Sequence, residues 1–270
     1  MRARRVFRIR VTVKWHSTMQ RARLSRYGLL SVTGVDARAF LHAQLTNDIE
    51  NLSQERSALA GWCSAKGRLL ASFLVIPAPD GFLLQVARDL AAPVAKRLSM
   101  FVLRSKVKIS DLSDAWAQFG VWDTDLGAGE VSWRGNVATV RVGERRFLQL
   151  GPSAELTEPV PGANEADEVQ WTLQEIRAGR PLITSATQDQ FVPQMVNFEA
   201  LGGVDFRKGC YPGQEIVARA QYRGQVKRRM VHTRAPAGVS LQPGQEFNGG
   251  TVVDAAPAEG GAEVLAVMPI

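Results

Sequence analysis

The pattern of apolar and polar residues becomes regular at residue 27 and from there predicts alternating strands and helices. Residues 27–33 have the composition of a strand, Gly34 ends it, and Asp36 is suited to cap a helix that extends to Leu45. Three strands, the first two joined by a hairpin turn, and a second helix follow at 58–63, 68–76, 82–86 and 90–103. Further strands are predicted near 107–109 and 116–122. A strand-helix-strand-strand-helix-strand order is typical of a ferredoxin-like α+β unit, and we assign this part of the chain to that class.

The second half of the chain predicts one more helix and then only strands. Short strands and a loop rich in proline and glycine occupy residues 123–165, and a helix follows at about 165–178, where Gly179 and Pro181 end it. After Lys227 the pattern is that of short strands separated by glycine-containing turns, at 230–233, 245–247, 251–253 and 263–268. This predicts a small β-barrel at the C-terminal end.

The composition is that of an ordinary globular protein, with 45% hydrophobic and 22% charged residues. No apolar run approaches the roughly 18 residues that a membrane span needs, so we expect no membrane partner. The chain has only two cysteines. They provide no disulfide framework and fit a reducing compartment, so we expect a cytoplasmic protein.

The net charge of +7 is concentrated at the N-terminus. Nine of the 33 basic residues lie in the first 30 positions, which contain no acid, so the remaining 24 basic residues face 26 acidic ones. The body is therefore near neutral, which excludes a uniformly basic nucleic-acid-binding protein. Residues 1–18 fit neither a transit peptide nor a signal peptide. We expect this basic leader to be disordered or a spurious extension before Met19, and the alternative is a basic arm that contacts RNA.

The most informative stretch is the octapeptide Lys-Gly-Cys-Tyr-Pro-Gly-Gln-Glu at residues 208–215, called the motif loop below. Glycine and proline around Cys210 predict a tight loop, and the apolar residues after it predict a helix or a strand. A cationic neighbour such as Lys208 favours the thiolate, which is the form that attacks electrophiles and binds metal. The competing interpretation is a small buried hydrophobe, which we prefer for the other cysteine, Cys63.

Further segments accompany the motif loop: Phe-Val-Pro-Gln at 191–194, Thr-Gly-Val-Asp at 33–36, Ala-Lys-Gly-Arg at 65–68, and Arg-Gly at 223–224. Together with residues 201–219 they resemble the signature of the YgfZ family. The resemblance implies a folate-binding protein that supports iron–sulfur cluster assembly or repair and tRNA modification. It also implies a fold similar to the aminomethyltransferase (T-protein) of the glycine cleavage system. Two intertwined ferredoxin-like subdomains at 19–225 would bind folate, and a short β-barrel would occupy 226–270.

The main rival interpretation is a folate-dependent aminomethyl or one-carbon transferase. The transferase family carries an essential aspartate in an Asn-x-x-Gly-Gly-x-x-Asp-Asp hairpin strand. The matching stretch here is 64–72, with Ala71 and Ser72 where the two aspartates would stand. Neither side chain can position or activate an amine as a carboxylate does. We therefore expect that the chain is not a functional aminomethyltransferase, and whether it catalyses another reaction stays open.

The resemblance also implies which residues contact the cofactor, expected to be folate as a tetrahydrofolate derivative. Family members place one aromatic residue just before the first strand and another in the later helix, here Tyr27 and Trp171. A flat pterin is well held by aromatic faces. The competing interpretation of Trp171 is a core residue on the helix face. Arg223 is the basic residue that we expect at the glutamate tail of folate, with Arg177 and Arg219 as further candidates.

Within the motif loop, the resemblance assigns the chemistry to Cys210, as a transient ligand of iron or sulfide or as the site of a covalent adduct. Lys208 is expected to favour the thiolate and to contact anions. The remaining residues are expected to shape and anchor the loop: Gly209, Tyr211, Gly213, Gln214 and Glu215. A stored cluster usually takes about four protein ligands. Two cysteines therefore predict no stably bound cluster or metal.

A third interpretation is a tRNA-binding module. A basic run after the motif loop is interrupted by no acid and comprises Arg219, Arg223, Lys227, Arg228, Arg229 and Arg234. Tyr222 is the single aromatic residue in that run, so base stacking is poorly provided for and only a weak tRNA contact is expected. The main partners implied by the resemblance are iron–sulfur client or assembly proteins. We expect the protein to be a monomer.

Overall fold

The computed structural model describes residues 19–157, 160, 162–224 and 226–270. The predicted basic leader lies outside the described residues, as do Pro159 and Pro161 of the predicted proline- and glycine-rich loop. The first strands of the chain are β1 (Gln20–Arg23), β2 (Tyr27–Thr33), β3 (Ala58–Cys63), β4 (Leu69–Ala78), β5 (Gly81–Ala87), β6 (Lys108–Asp111), β7 (Trp116–Trp122), β8 (Val131–Arg134), β9 (Val137–Gly143) and β10 (Arg146–Pro152). The later strands are β11 (Asn164–Glu165), β12 (Arg228–Pro236), β13 (Glu246–Phe247), β14 (Gly250–Ala258) and β15 (Gly261–Pro269). The helices are α1 (Ala37–Gln44), α2 (Arg88–Ser99), α3 (Glu168–Arg177) and α4 (Gln214–Tyr222), with a 3-10 helix at Pro193–Val196.

The first predicted unit is a five-stranded antiparallel sheet in the order β3-β4-β5-β2-β6. β2 and β3 have the predicted bounds. The predicted hairpin turn is confirmed, since the Gly67 N–H donates to the Ser64 carbonyl oxygen over 2.8 Å. Three strands separate α1 from α2, as the pattern predicts, because β4 turns back at residues 79–80 into β5. The sheet therefore departs from the ferredoxin-like order by one strand.

The first two helices form where they are predicted, with differences at their ends. Asp36 precedes α1, but its carboxylate does not cap the helix and instead accepts the Lys106 N–H over 2.7 Å. α2 ends at Ser99 rather than at 103. The chain leaves α2 in successive turns, and Leu103 adopts a left-handed φ of 45°, which a continuing helix does not allow.

A six-stranded sheet has the order β11-β1-β7-β10-β9-β8. Its β1 pairs antiparallel with β7, so the described part of the chain starts in this sheet, builds the five-stranded sheet, and then returns. β11 pairs parallel with β1 and places Glu165, the first residue of the predicted third helix, in a strand. α3 therefore starts at Glu168, with the Asp167 carboxylate accepting the Val169 N–H over 2.8 Å.

The predicted C-terminal β module is a four-stranded antiparallel sheet in the order β12-β15-β14-β13. β12 and β13 form its two edges among the described residues, so the sheet is half of a barrel rather than a closed one. Two ion pairs fix it to the rest of the molecule. Arg177 of α3 binds Glu263 over 2.7 Å, and Arg26 binds the buried Asp254 over 2.8 Å.

Candidate functional site

The motif loop lies directly against the β3–β4 hairpin turn. Gly213 has a φ of +76° and precedes α4, so the segment after the loop is a helix. A Cβ atom at Gly213 would lie 2.3 Å from the Ser64 carbonyl oxygen and 2.6 Å from the Gly67 Cα. A Cβ at Gly67 would in turn lie 2.8 Å from the Ile216 Cβ. The two glycine-containing motifs thus touch backbone to backbone, which fixes where the motif loop begins its helix.

Lys208 anchors the other end of the motif loop. Its side chain is buried, and its Nζ donates hydrogen bonds to the carbonyl oxygens of His42 and Leu45, the latter over 2.8 Å, at the end of α1. The same ammonium lies 4.8 Å from the centre of the Tyr211 ring. Burial lowers the pKa of Lys208 to about 8, while the nearby Asp48, Asp205 and Cys210 act in the opposite direction. Lys208 therefore holds the loop on α1 through bonds that occupy two of its three donors.

The two cysteines have opposite environments. Cys210 is exposed, and among the described residues no hydrogen bond is made by its side chain. Cys63 is buried, as predicted, and burial raises the pKa of its thiol to about 12, with a smaller contribution from Asp189. The thiol at the surface of the motif loop is therefore that of Cys210.

The other motif-loop side chains act within the loop and its helix. Tyr211 is buried, and burial raises the pKa of its hydroxyl. Gln214 donates to the Gly209 carbonyl oxygen over 3.5 Å, and Glu215 pairs with Arg219 one turn further along α4 over 2.9 Å. Glu215 is exposed and bonds within its own helix, so the loop is anchored by Lys208, Tyr211 and Gly213 instead.

A cleft of about 770 Å³ is lined by residues of both the five-stranded and the six-stranded sheet. The cleft is lined by four arginines and by polar residues of the segment after α1; the side chains include Asn47, Asn51, Arg56, Arg141, Arg146 and Arg180. At one end the cleft shares Asp48, Asn51 and Asp205 with a groove of about 500 Å³, which runs past His42 to Lys208 and Gly209. The cleft and the motif loop therefore belong to one continuous concave surface.

At its other end the cleft shares Leu59, Leu74 and Arg180 with a small inner cavity of about 30 Å³. Tyr27, Ser72 and Glu175 also line this cavity. It is mainly apolar and has room for about one water molecule. At the inner end of the concave surface, apolar side chains thus surround the Glu175 carboxylate, and the cleft beside it is lined by four arginines.

Glu175 is the charged centre of the inner end. Its Oε1 accepts from Arg146 Nη1 over 2.6 Å, and its Oε2 lies 3.3 Å from Arg180 Nε. Both guanidiniums also donate to the Val142 carbonyl oxygen, over 3.3 and 3.2 Å. The sequence analysis did not identify Glu175, Arg146 or Arg180 as site residues. The available signal was an acidic residue one helical turn after Trp171, on the face of α3 that also carries the apolar Ile176.

Comparisons with known proteins agree with this architecture. The chain is 34% identical to the tRNA-modifying protein YgfZ of Edwardsiella ictaluri over 245 residues, which covers 82% of this chain and 73% of that protein. It is 31% identical to the tRNA-modifying protein YgfZ of Escherichia coli O139:H28 over 278 residues, covering 91% and 83%. The chain belongs to the YgfZ family. No protein-family model matches this YgfZ-family chain.

The fold of this YgfZ-family chain is that of an aminomethyltransferase. It is similar to the crystal structure of glycine cleavage system aminomethyltransferase T from Bartonella henselae, with a TM-score of 0.72, 15% identity, and coverage of 93% of this chain and 78% of that one. The expected α+β class is confirmed as a mixed architecture of few helices and several sheets, and the division into two intertwined ferredoxin-like subdomains stays a prediction. At this level of identity the likeness concerns the fold alone.

The two positions expected to replace the transferase aspartates differ in their surroundings. Ala71 is fully buried, pairs with Trp62 across β3 and β4, and does not line the inner cavity. Ser72 lines the inner cavity, and its Oγ accepts the Ile183 N–H over 3.0 Å. The cavity-facing position in this YgfZ-family chain is therefore Ser72, whose hydroxyl does not ionise near neutral pH.

The three residues predicted to contact folate lie in different places. Tyr27 is buried on the wall of the inner cavity, where burial and the neighbouring Glu175 raise the pKa of its hydroxyl. Trp171 is buried against Gly120 and Trp122 and does not line the cleft. Arg223 is exposed at the end of α4, also away from the cleft. Of these three predicted residues, Tyr27 therefore lies on the concave surface, whereas Trp171 and Arg223 do not.

The basic run is largely engaged within the protein. Arg219 pairs with Glu215, Arg229 with Glu199 over 2.7 Å, and Arg228 donates to backbone carbonyl oxygens. In the part of the chain that the structure describes, no group of three or more His, Cys, Asp or Glu side chains could hold a metal ion. Nor does any helix there have the length and apolar character to cross a bilayer.

Proposed function

We propose that this chain is a folate-binding accessory protein for iron–sulfur cluster assembly or repair, linked to tRNA modification. The observation that carries the proposal is the continuous concave surface from the inner cavity, through the cleft, to Lys208 and Gly209, the two residues before Cys210. The volume of the cleft alone, about 770 Å³, lies within the range of small-molecule sites. The link to tRNA modification rests on the names of the curated relatives.

The residues at the inner end suit the heterocyclic ring of a folate. The ring of a pterin presents N–H donors along one edge, and the Glu175 carboxylate is an acceptor for such donors. Leu59, Leu74 and Tyr27 provide apolar and aromatic surface beside it. Because the inner cavity holds about 30 Å³, the ring would lie in the cleft with its edge towards Glu175. A bound folate would present a one-carbon unit or a redox-active ring to the cleft.

The mouth of the cleft suits the carboxylates of the glutamate tail. Of the four arginines that line the cleft, Arg56 and Arg141 have the most exposed side chains, and guanidinium groups bind carboxylates in a bidentate manner. Arg223 lies outside the cleft, so we assign the tail to these arginines instead. Trp171 acts on the same site indirectly, because the Arg146 guanidinium lies 5.9 Å from its ring centre.

Cys210 is the residue that we assign to sulfur or iron chemistry. It is exposed next to the groove, so its thiolate is accessible to a second protein. Since a cluster usually takes about four protein ligands, Cys210 would supply one ligand transiently and the client protein the others. Lys208 holds the loop in place for that contact.

Titration calorimetry with tetrahydrofolate tests the binding site. We expect the variant Glu175→Gln to bind about tenfold or more weakly than the wild type, because it loses a charged acceptor. Leu59→Trp should also weaken binding, by filling the cleft. The exposed Glu165→Gln serves as the matched control. Equal affinities in all four proteins would remove the proposed site.

Two alternatives are less well supported. An aminomethyltransferase needs a carboxylate at the hairpin strand, and the cavity-facing residue there is Ser72. A tRNA-binding module needs an excess of cations to contact phosphates, whereas residues 31–270 contain 24 basic and 26 acidic side chains. Arg219, Arg228 and Arg229 of the basic run already bind partners within the protein.

A further inference from the structure

The segment that joins α2 to β6 presents large apolar side chains to solvent. Met100, Phe101 and Leu103 lie in the successive turns after α2, and Val35 lies in the turn before α1. These four residues are between 43% and 88% exposed. Single exposed apolar residues are ordinary on a protein surface, whereas a group of large ones at one place marks a surface that binds a partner.

Both turns are fixed in the protein, so these residues form one surface. The turn before α1 is bonded to the segment after α2, because the Asp36 carboxylate accepts the Lys106 N–H over 2.7 Å. The Phe101 ring packs edge-on against the buried Trp62, with ring centres 6.3 Å apart. The Arg97 guanidinium lies 5.5 Å from the centre of the same tryptophan ring. The surface is therefore anchored in the core through Trp62.

The same segment is cationic and has no acidic residue of its own. Between residues 90 and 110 the chain has no Asp or Glu and five exposed basic residues, Lys96, Arg97, Arg104, Lys106 and Lys108. In the described part of the chain none of the five forms a salt bridge, unlike Arg219 and Arg229 of the basic run. These five residues and the four exposed apolar ones are called the α2–β6 surface below. Its electrostatic complement is a partner with negative charge.

The composition of the α2–β6 surface favours a protein over a nucleic acid or a membrane. Bases stack on aromatic faces, and Phe101 is the single aromatic residue of the surface, with its ring packed against Trp62. The rest of its apolar part is aliphatic or thioether, which suits a protein partner, since protein interfaces are enriched in Met and Arg. A bilayer takes up a helix that has a free apolar face. The apolar residues of α2 are instead buried where the helix contacts β2, β5 and β6: Leu90, Ala91, Val94 and Leu98.

We propose that the α2–β6 surface is the docking site for a partner protein, through a segment of that partner that carries both acidic and apolar side chains. The acidic groups pair with the five cations, and the apolar groups cover Met100 and Leu103. The basic leader of this chain has the wrong charge for that role, because residues 1–18 contain no acid. The inference adds a surface to the proposed function, since none of its residues lines the cleft or the groove beside the motif loop.

Fluorescence anisotropy with a labelled synthetic peptide, in which Glu alternates with Leu and Phe, tests the inference on the purified full chain. We expect the peptide to bind, and the affinity to fall as sodium chloride is raised, because salt screens exposed charges. Leu103→Ser should weaken binding by about tenfold, since the peptide then buries no leucine side chain at that position. Arg104→Glu should weaken it in the same direction. Peptides with Lys in place of Glu, or with Ser in place of Leu and Phe, should not bind measurably.

Val239→Ser and Arg134→Glu are the matched controls, because Val239 is exposed after β12 and Arg134 at the end of β8. Circular dichroism identifies any variant that fails to fold, and Arg104→Glu then carries the comparison.

The absence of peptide binding, or equal affinities in the wild type and both surface variants, would overturn the inference. Binding of total tRNA or of phosphatidylglycerol vesicles, in place of the peptide and lost in the same variants, would also overturn it. A dimer in analytical ultracentrifugation that Leu103→Ser dissociates would assign the surface to a second copy of the chain instead. The measurement uses no folate, so each of these outcomes leaves the calorimetric test of the proposed function standing.

Discussion

Gly213 of the motif loop and Gly67 of the β3–β4 turn approach so closely that neither position has room for a side chain. A Cβ at Gly213 would lie 2.6 Å from the Gly67 Cα and 2.7 Å from its nitrogen. Both glycines also have left-handed φ angles, +76° and +67°. Two sequence motifs separated by about 140 residues are thus one structural unit, and the position of Cys210 depends on both.

We expect Gly213→Ala to lower the free energy of unfolding by about 1–3 kcal/mol, through the left-handed φ and through the contact with the Ser64 carbonyl. Urea denaturation measures the change. Gly238→Ala is the matched control, because Gly238 has a φ of +83° but no atom within 4 Å of its added Cβ. Equal losses in the two variants would show that the backbone angle alone matters and that the contact with the turn does not.

The sequence predicts each of these two motifs as a turn, but not that they touch. Glycine and proline at 64–67 and 209–213 are local signals for left-handed backbone and tight loops. The contact between them is made by the tertiary structure, as is the pairing of β1 with β7. The family resemblance supplied the fold, whereas periodicity located the three strands between α1 and α2 but was assigned to a ferredoxin-like order that has only two there.

The candidate site, too, is only partly predictable from the sequence. Tyr27 and Cys210 were identified from sequence and lie on the concave surface or beside it. Trp171 and Glu175 lie one turn apart on α3, and both are buried. A sequence does not tell which of them faces a cavity and which faces the sheet, because that depends on how α3 packs over Gly120.

Glu175→Leu should strongly destabilise the protein, since it leaves Arg146 and Arg180 without their common partner. The side chains of all three are at most 14% exposed. Removing one member of a buried ion-pair group costs about 3–5 kcal/mol. Glu215→Leu removes a pair that is mostly exposed and should cost less than about 1 kcal/mol. Urea denaturation of both variants measures the loss in the free energy of unfolding. Comparable losses in the two variants would contradict a structural role for Glu175.

Iodoacetamide should modify the native protein at one cysteine only. Cys210 is exposed, whereas Cys63 is buried with its pKa raised to about 12. Peptide mass spectrometry after a short reaction at pH 8 should therefore find the label on Cys210, and on both cysteines when urea is present. Native labelling of Cys63 at a similar rate would mean that β3 opens readily, contrary to its position in the core.

The burial of Lys208 predicts a dependence of stability on pH. Its pKa falls from 10.5 to about 8 on folding, so between these values the unfolded chain binds more protons than the folded one. The free energy of unfolding therefore rises with pH between about 8 and 10.5. The stability that the neutral Lys208 side chain contributes is lost as the pH falls through about 8, because the buried amine then binds a proton. We expect the melting temperature of the wild type to increase relative to that of Lys208→Met between pH 7.5 and 9.5, as measured by differential scanning calorimetry. Lys66→Met, which alters an exposed lysine, should follow the wild type throughout. A constant difference between the wild type and Lys208→Met would show that Lys208 stays charged, held by the carbonyl oxygens of α1 and the Tyr211 ring.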